Sequence, residues 1–189
     1  MPIKIYVDQG HNPRDFNTGA EGNGYFEQDI TYEVGKRLFA YLEANPEFIP
    51  RLSRPTRDTL LGTSNSSSLV ARVNEANSWG ADVFISLHTN AAVNPAATGS
   101  EALIYSRRSE VAYGLAEDIL RELTDVTGLR NRGVIERPGL YVLRRTNMPA
   151  VLVEMGFISN PRDAELMANS PNLFALGIYR GILDYYGLS

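Results

Sequence analysis

The chain of 189 residues has no cysteine, only two histidines and a single tryptophan. The absence of cysteine excludes disulfide frameworks, thiol catalysis and thiolate metal sites. Any metal ion must therefore be held by histidine and carboxylate side chains. The formal net charge is −4, so the chain lacks the basic field that attracts nucleic acid or an anionic membrane surface. We therefore expect neither nucleic acid nor a membrane as a partner.

Two further features are missing from the sequence. No apolar run is long enough to span a bilayer. The opening residues, MPIKIYVDQG, lead straight into a strand, without the charged and then apolar segments of a secretory signal peptide. The length suits one domain, and a hydrophobic content of 43% is ordinary for a globular core. We therefore expect one domain over residues 1–189.

Hydrophobic periodicity predicts strands that alternate with helices. The predicted strands are Ile3–Val7, Phe48–Ser53, Asp82–Leu87, Glu101–Tyr105, Leu140–Leu143 and Ala150–Glu154. The predicted helices are Glu27–Asn45, Leu69–Trp79, Glu110–Thr127, a short helix opened by Asn160-Pro161, and Asn172–Tyr186. Polar loops are predicted from Gly10 to Gly24 and over Asp58–Ser68. Interleaved strands and helices are typical of an α/β layered domain.

The two histidines occupy the same predicted context. His11 closes the segment IKIYVDQGH, and His88 follows the apolar part of VFISLHTNA. Open α/β sheets bind ligands in the loops at the carboxyl ends of their strands, and neutral imidazole is the commonest metal ligand. The pair therefore indicates a metal site, with two unrelated surface histidines as the alternative.

Two glutamates complete this set of candidates. Glu27 lies in the first turn of the first predicted helix and suits the third protein ligand of a catalytic zinc, although a helix N-terminus favours a carboxylate without any metal. Glu154 ends the apolar run PAVLV, where desolvation would raise its pKa into the range of a general acid or base. A structural ion pair with an arginine is the alternative for Glu154. Together the four residues match a zinc hydrolase, whose metal activates water and polarises a carbonyl.

The sequence resembles the zinc-dependent N-acetylmuramoyl-L-alanine amidases of the amidase 3 class, which cut the amide between muramic acid and the first L-alanine of peptidoglycan. The resemblance runs nearly from end to end. It rests on the segments VDQGH, EQDITYEVGKRLFAYLE, RVNEAN, VFISLHTNA and PAVLVEMGFISNPRDAELM. It implies a single α/β domain with a central twisted, mostly parallel sheet and helices on both faces.

The resemblance also implies roles for individual residues. It makes His11, Glu27 and His88 the ligands of one Zn²⁺ and Glu154 the catalytic carboxylate. It implies a bacterial hydrolase that degrades the cell wall, with peptidoglycan or muropeptides as its substrate. Such a protein would act outside the cytoplasm, which suits a chain without cysteine, although the sequence shows no export route.

Some features depart from the family or remain open. The family commonly has two glycines after the first histidine, where this chain has Asn12-Pro13, and this change is expected to affect the loop shape and substrate preference. Asn90 and Arg132 are further candidates for substrate contacts, with a turn-capping amide and a surface salt bridge as the alternatives. The sequence contains no cell-wall-binding repeats, so targeting lies in domains outside this chain or the domain works alone.

Two other functions remain open at this point. A zinc carboxypeptidase that acts on stem peptides would use the same chemistry, and Arg132 is a candidate to hold the terminal carboxylate of its substrate. A non-catalytic cell-wall-binding module would keep the fold without the reaction. A vegetative autolysin, a sporulation or germination enzyme and a phage lysin could all share this domain.

Overall fold

The computed structural model describes residues 1–188. Its strands are β1 (Ile3–Gln9), β2 (Glu21–Gly22), β3 (Tyr25–Phe26), β4 (Phe48–Leu52), β5 (Val83–Asn90), β6 (Ser100–Ile104), β7 (Asn131–Glu136) and β8 (Ala150–Phe157). Six of them form one sheet in the order β4-β1-β5-β8-β6-β7, and β2 pairs with β3 separately. The strands β4, β1, β5 and β8 run parallel, whereas β6 is antiparallel to β8 and parallel to β7. The predicted α/β fold with a mostly parallel sheet is therefore confirmed.

Among the described residues, six helices flank the sheet: α1 (Glu27–Glu43), α2 (Asn65–Trp79), α3 (Glu110–Thr127), α4 (Tyr141–Arg145), α5 (Pro161–Asn169) and α6 (Pro171–Tyr186). One face of the sheet packs in a core with residues of α1, α3, α5 and α6, and the other face packs against α2 and α4. Within residues 1–188, no helix combines the length and the hydropathy needed to cross a bilayer.

Proline in the predicted second strand is explained by its place in the sheet. Pro50 lies in β4, which pairs with β1 along one edge only. An edge strand tolerates a residue that lacks an N–H group because its outer side makes no ladder hydrogen bonds.

Helix α2 begins four residues earlier than the apolar pattern predicts. The hydroxyl of Ser64 accepts a hydrogen bond from the Ser67 amide at 3.1 Å, and the hydroxyl of Ser67 accepts one from the Ser64 amide at 2.9 Å. This reciprocal capping satisfies amide groups that the first turn leaves free. The polar residues at 65–68, predicted as a loop, are therefore helical.

The prediction of a strand at Leu140–Leu143 is wrong, because this segment forms α4. The Arg144 amide donates to the Leu140 carbonyl at 3.0 Å, which closes a helical turn. Val142 and Leu143 are buried against the sheet face that α2 also covers. A run of four apolar residues is too short for periodicity to separate a strand from a buried helical turn.

Several strands differ from their predicted extents. Strand β5 continues to Asn90 and β8 to Phe157, so His88 and Glu154 lie within strands rather than at their ends. The short strand β2 lies in the predicted loop from Gly10 to Gly24, whereas β3 and β7 were not predicted. Gly133, with φ at 91°, interrupts the apolar pattern of β7.

Close contact between α3 and α6 depends on glycine. A Cβ atom at Gly181 would clash with the backbone of Ile119, and one at Gly177 would lie 2.6 Å from the Cα of Leu123. Because the α3 backbone cannot move aside without displacing the helix, we expect Gly181→Ala to lower the free energy of unfolding by about 2 kcal/mol, within the usual cost of overpacking. Urea-induced unfolding measures this change.

Gly114→Ala is the matched control. Gly114 also lies in the interior of a helix, but its Cβ atom would meet only the ring of Tyr185, at 3.2 Å. Alanine is favoured over glycine in a helix by about 1 kcal/mol, so this variant should be nearly neutral. A Gly181→Ala protein as stable as Gly114→Ala would contradict the packing argument.

Candidate active site

His11 lies just after β1, in a loop that passes close to β5. A Cβ atom at Gly10 would lie 2.5 Å from the Leu87 carbonyl oxygen and 2.6 Å from Nε2 of His88. Only glycine therefore allows the end of β1 to pass this close to the second histidine. His11 itself has a φ of 70°, which non-glycine residues rarely adopt. Its backbone conformation directs the imidazole toward His88.

Glu27 begins α1 and is 3% exposed. Its Oε2 atom accepts a hydrogen bond from the Ala20 amide at 2.8 Å, and its Oε1 atom accepts one from the Thr89 amide at 2.9 Å. The carboxylate therefore joins the loop that precedes α1 to strand β5. Both oxygens are fixed by backbone groups, which limits the rotation of the side chain.

His88 and Glu154 are neighbours in the sheet. They are register partners in the parallel strands β5 and β8, and Glu101 of β6 is the partner of Glu154 on its other side. Side chains at paired positions point to the same face of a sheet. The sheet therefore places Glu154 between His88 and Glu101 on one face.

The structure brings His11, Glu27 and His88 together. Nε2 of His11 lies 3.1 Å from Nδ1 of His88, and each of these nitrogens lies 3.1 Å from Oε1 of Glu27. Ligand atoms bound at 2.0–2.1 Å around a tetrahedral metal lie about 3.3 Å apart. The three atoms therefore have the chemical types and the spacing of a zinc site, and this group could hold a metal ion.

Asn17 orients the first histidine. Its Oδ1 atom lies 3.1 Å from Nδ1 of His11, a distance at which the ring N–H donates to the amide oxygen. This assignment of the tautomer follows from the hydrogen-bond network. It leaves the lone pair of Nε2 directed toward Glu27 and His88, as metal binding requires.

Burial and charge act in opposite directions on Glu27. Burial alone would raise the pKa of this carboxyl group, but its contacts with His11 and His88 outweigh burial and hold the pKa well below its usual range. Glu27 is therefore an anion at neutral pH, the form that coordinates a cation.

The surroundings of Glu154 differ from those of Glu27. Its Oε2 atom is buried and has no hydrogen-bond partner. Burial, together with the negative charges of Glu27 and Glu101, raises its pKa to about 8. The predicted alternative, an ion pair with an arginine, is absent from the described residues. A carboxyl group that has one buried, unpartnered oxygen and lies next to the ligand cluster suits proton transfer.

The two candidates for substrate contacts both bond Glu101, a residue that the sequence analysis did not single out. These candidates are Asn90 and Arg132. Nδ2 of Asn90 donates to Oε1 of Glu101 at 2.9 Å, and Nε of Arg132 donates to Oε2 of Glu101 at 3.0 Å. Glu101 is 6% exposed. A charged residue at the start of the predicted strand Glu101–Tyr105 was the available signal, because buried glutamate is rare unless it is paired.

A cavity of about 100 Å³ adjoins His11 and His88. Its wall includes apolar side chains from α2, β8 and the region of α4, namely Leu69, Leu140, Val142 and Leu152. The site therefore offers room for a small apolar group beside the ligand cluster.

Comparison with known proteins agrees with this geometry. The family described as N-acetylmuramoyl-L-alanine amidase (Amidase_3) matches residues 5–184. The chain is 37% identical to N-acetylmuramoyl-L-alanine amidase LytC of Bacillus subtilis (strain 168) over 186 residues, covering 96% of this chain and 35% of LytC. It is 36% identical to N-acetylmuramoyl-L-alanine amidase CwlM of Bacillus licheniformis over 189 residues, covering 99% of this chain and 70% of CwlM. The chain thus spans about a third of LytC.

A solved structure shows the same fold. The crystal structure of N-acetylmuramoyl-L-alanine amidase from Clostridium difficile 630 has a TM-score of 0.88 and 29% sequence identity. The match covers 98% of this chain and 97% of that one. The likeness therefore extends over the whole sheet and its flanking helices.

Proposed function

Because the chain belongs to the N-acetylmuramoyl-L-alanine amidase family Amidase_3, we propose that it hydrolyses the amide between N-acetylmuramic acid and the first L-alanine of the peptidoglycan stem peptide. We further propose that His11, Glu27 and His88 hold one zinc ion for this reaction. The observation that carries the proposal is the set of three ligand atoms 3.1 Å apart. Glu154 lies on β8, beside His88 on the neighbouring strand β5.

Zinc in such a site acts as a Lewis acid and lowers the pKa of a water molecule to about 7. Glu154 accepts a proton from the attacking water, whose oxygen bonds to the lactyl carbonyl carbon of muramic acid. Glu154 then passes the proton to the nitrogen of L-alanine as the carbon–nitrogen bond breaks. The products are a muramic acid carboxylate and a stem peptide with a free amino group.

The raised pKa of Glu154 supports this role. A group whose pKa of about 8 lies near the working pH can both take up and release a proton. A divalent cation beside Glu27 would offset part of the repulsion that raises this pKa. The position of Glu154 within β8 keeps the carboxyl group fixed while its protonation changes.

The two alternative functions receive less support. A carboxypeptidase needs a free cation for the terminal carboxylate of its substrate, but Arg132 is already bonded to Glu101 and to the Thr98 carbonyl. A non-catalytic module does not need an unpartnered buried carboxyl group beside three converging ligand atoms. The amidase reaction uses all four residues.

A defined muropeptide tests the proposed reaction. The protein is incubated with N-acetylmuramic acid linked to a stem peptide and, separately, with the free stem peptide, and the products are identified by mass spectrometry. An amidase releases intact stem peptide from the muropeptide and leaves the free peptide unchanged. Trimming of the free peptide at its carboxyl terminus would instead establish a carboxypeptidase.

Arg132→Ala tests the proposed substrate contact. If Arg132 also donates to a carbonyl oxygen of the stem peptide, its loss should lower kcat/KM about tenfold, since a hydrogen bond to a charged group contributes about 1.5–3 kcal/mol. Arg108→Ala, at an exposed position, is the control. Kinetics unchanged from those of the control would remove Arg132 from the site.

The proposed reaction also implies where the protein acts and what it binds. Peptidoglycan and its fragments are the proposed binding partners, and the cell wall outside the cytoplasm is the proposed place of action. The proposed catalytic domain is residues 1–189, of which the family match covers residues 5–184. Attachment to the wall would come from additional domains or from the substrate itself.

A further inference from the structure

A buried arginine lies beneath the loop that carries His11. Arg72 belongs to α2 and is 1% exposed. Its Nη1 atom donates to Oδ1 of Asp8 at 2.5 Å and to the Gln9 carbonyl at 2.6 Å. Its Nη2 atom donates to the His11 carbonyl at 2.6 Å. The two terminal nitrogens therefore divide their contacts between the end of β1 and the ligand residue.

Asp8 anchors this arginine to the sheet. Asp8 is 1% exposed, and its Oδ2 atom accepts a hydrogen bond from the Ser86 hydroxyl at 2.7 Å. Burial alone would raise the pKa of Asp8, but the charge of Arg72 and the hydrogen bonds lower it, so the carboxylate is charged. A charged pair fixed to two strands gives the guanidinium group a defined position.

The conformation that Arg72 bonds is an uncommon one. Residues held at positive φ persist only where the surrounding structure fixes them, and His11 has a φ of 70°. The neighbours of His11 have further partners, and Nη2 of Arg72 also donates to Oδ1 of Asn12 at 3.4 Å. The Thr31 hydroxyl donates to the Gly10 carbonyl at 2.7 Å, and the Asn12 side chain bonds the amide and the carbonyl of Leu61. The hydrogen bond from Nη2 of Arg72, in contrast, is made to the backbone carbonyl of His11 itself.

We propose that Arg72 is a positioning residue for the metal site. By holding the His11 carbonyl, it maintains the backbone conformation that directs Nε2 of His11 toward Glu27 and His88. Its described hydrogen bonds all go to protein groups at β1, Ser53 and the loop of His11. This inference rests on the proposed function, because it assumes that the three residues bind zinc. Mutation of a residue that orients a metal ligand typically lowers the affinity for the metal 10- to 100-fold.

Arg72→Lys separates positioning from the buried ion pair. Lysine keeps the positive charge beside Asp8 but has one terminal nitrogen instead of a fork, so it cannot reach both Asp8 and the His11 carbonyl in the same way. We expect the dissociation constant for zinc, measured by competition with a chromophoric chelator, to rise 10- to 100-fold. The absorption spectrum of the Co²⁺-loaded protein should also change, because the ligand geometry is altered.

A second variant covers the case in which Arg72→Lys fails to fold. The double variant Asp8→Asn with Arg72→Met removes both buried charges together, so neither is left unpaired. It also removes the donor to His11, and we expect the same rise in the dissociation constant. Val73→Ala is the control for loss of stability alone, because Val73 is an apolar residue buried on the same helix and its side chain donates no hydrogen bond.

The outcomes separate the inference from its premise. The inference is supported if the Arg72 variants bind zinc more weakly while the dissociation constant of Val73→Ala stays within threefold of the wild-type value. Wild-type affinity in the Arg72 variants, or an equal loss in Val73→Ala, overturns it. If the wild-type protein itself does not bind zinc, the proposed function fails instead.

Discussion

Glu154→Gln is expected to lower kcat by roughly 10²–10⁴-fold, the usual contribution of proton transfer by a positioned side chain. The zinc content should remain at one ion per chain, because His11, Glu27 and His88 are unchanged. KM should change less than kcat, since glutamine has nearly the same shape and the substrate contacts remain. Turnover on muropeptides, zinc content and Tm are measured on one preparation.

The stability measurement distinguishes catalysis from structure. Oε2 of Glu154 is buried without a hydrogen-bond partner, so the variant breaks no described bond to that atom and should keep its Tm. Glu165→Gln makes the same chemical change at an exposed position of α5 and should leave all three quantities unchanged. A folded, zinc-loaded and fully active Glu154→Gln protein would contradict the proposed mechanism. A lower Tm together with lower activity would instead assign Glu154 a structural role.

Loss of one metal ligand is expected to abolish both zinc binding and hydrolysis. In Glu27→Gln, the anionic oxygen that lies 3.1 Å from both imidazole nitrogens becomes part of a neutral amide. Because a ligand that binds only the folded state stabilises it, zinc at a hundred times its Kd contributes about 2.7 kcal/mol. This corresponds to a rise of about 5–10 °C in Tm for a chain of this length. The variant should lose this zinc-dependent rise.

Glu43→Gln is the matched control for this prediction. Glu43 is an exposed carboxylate at the other end of α1, so it should keep the activity and the zinc-dependent rise in Tm. His11→Ala and His88→Ala should behave like Glu27→Gln. Full activity in any of the three ligand variants would contradict the assignment of the metal site.

The long elements could be predicted from the sequence because their apolar periodicity extends over several turns. Helix α3 was predicted with its observed bounds, and α1 to within two residues. The error at Leu140–Leu143 has a physical cause, since so short an apolar run fits a strand and a buried helical turn equally well. The early start of α2 depends on two hydroxyl groups rather than on an apolar pattern.

The candidate site could be predicted in part for a similar reason. Parallel strands bring their carboxyl ends to one edge, so two histidines in that context were expected to meet. The structure confirms the meeting of His11, Glu27 and His88, while their roles and that of Glu154 remain predictions. Buried partners such as Glu101 were missed, because a sequence does not state which charges are paired.

Arg72 illustrates a signal that the sequence did contain. Its position follows the helical spacing of Leu69, Val73 and Ala76, which face the core from α2. An arginine at such a position must meet a carboxylate or several carbonyl groups. The sequence could therefore indicate a buried partner, but it could not identify Asp8 or the His11 carbonyl as that partner.

The central claim is tested most directly by titrating the metal-free protein with zinc during digestion of peptidoglycan. Mass spectrometry of the soluble fragments measures stem peptides that carry a free amino group on L-alanine. We predict that the metal-free protein releases none and that release rises with zinc to a plateau at one ion per chain. Release of these peptides by the metal-free protein, or release only of carboxyl-terminal amino acids, would contradict the account.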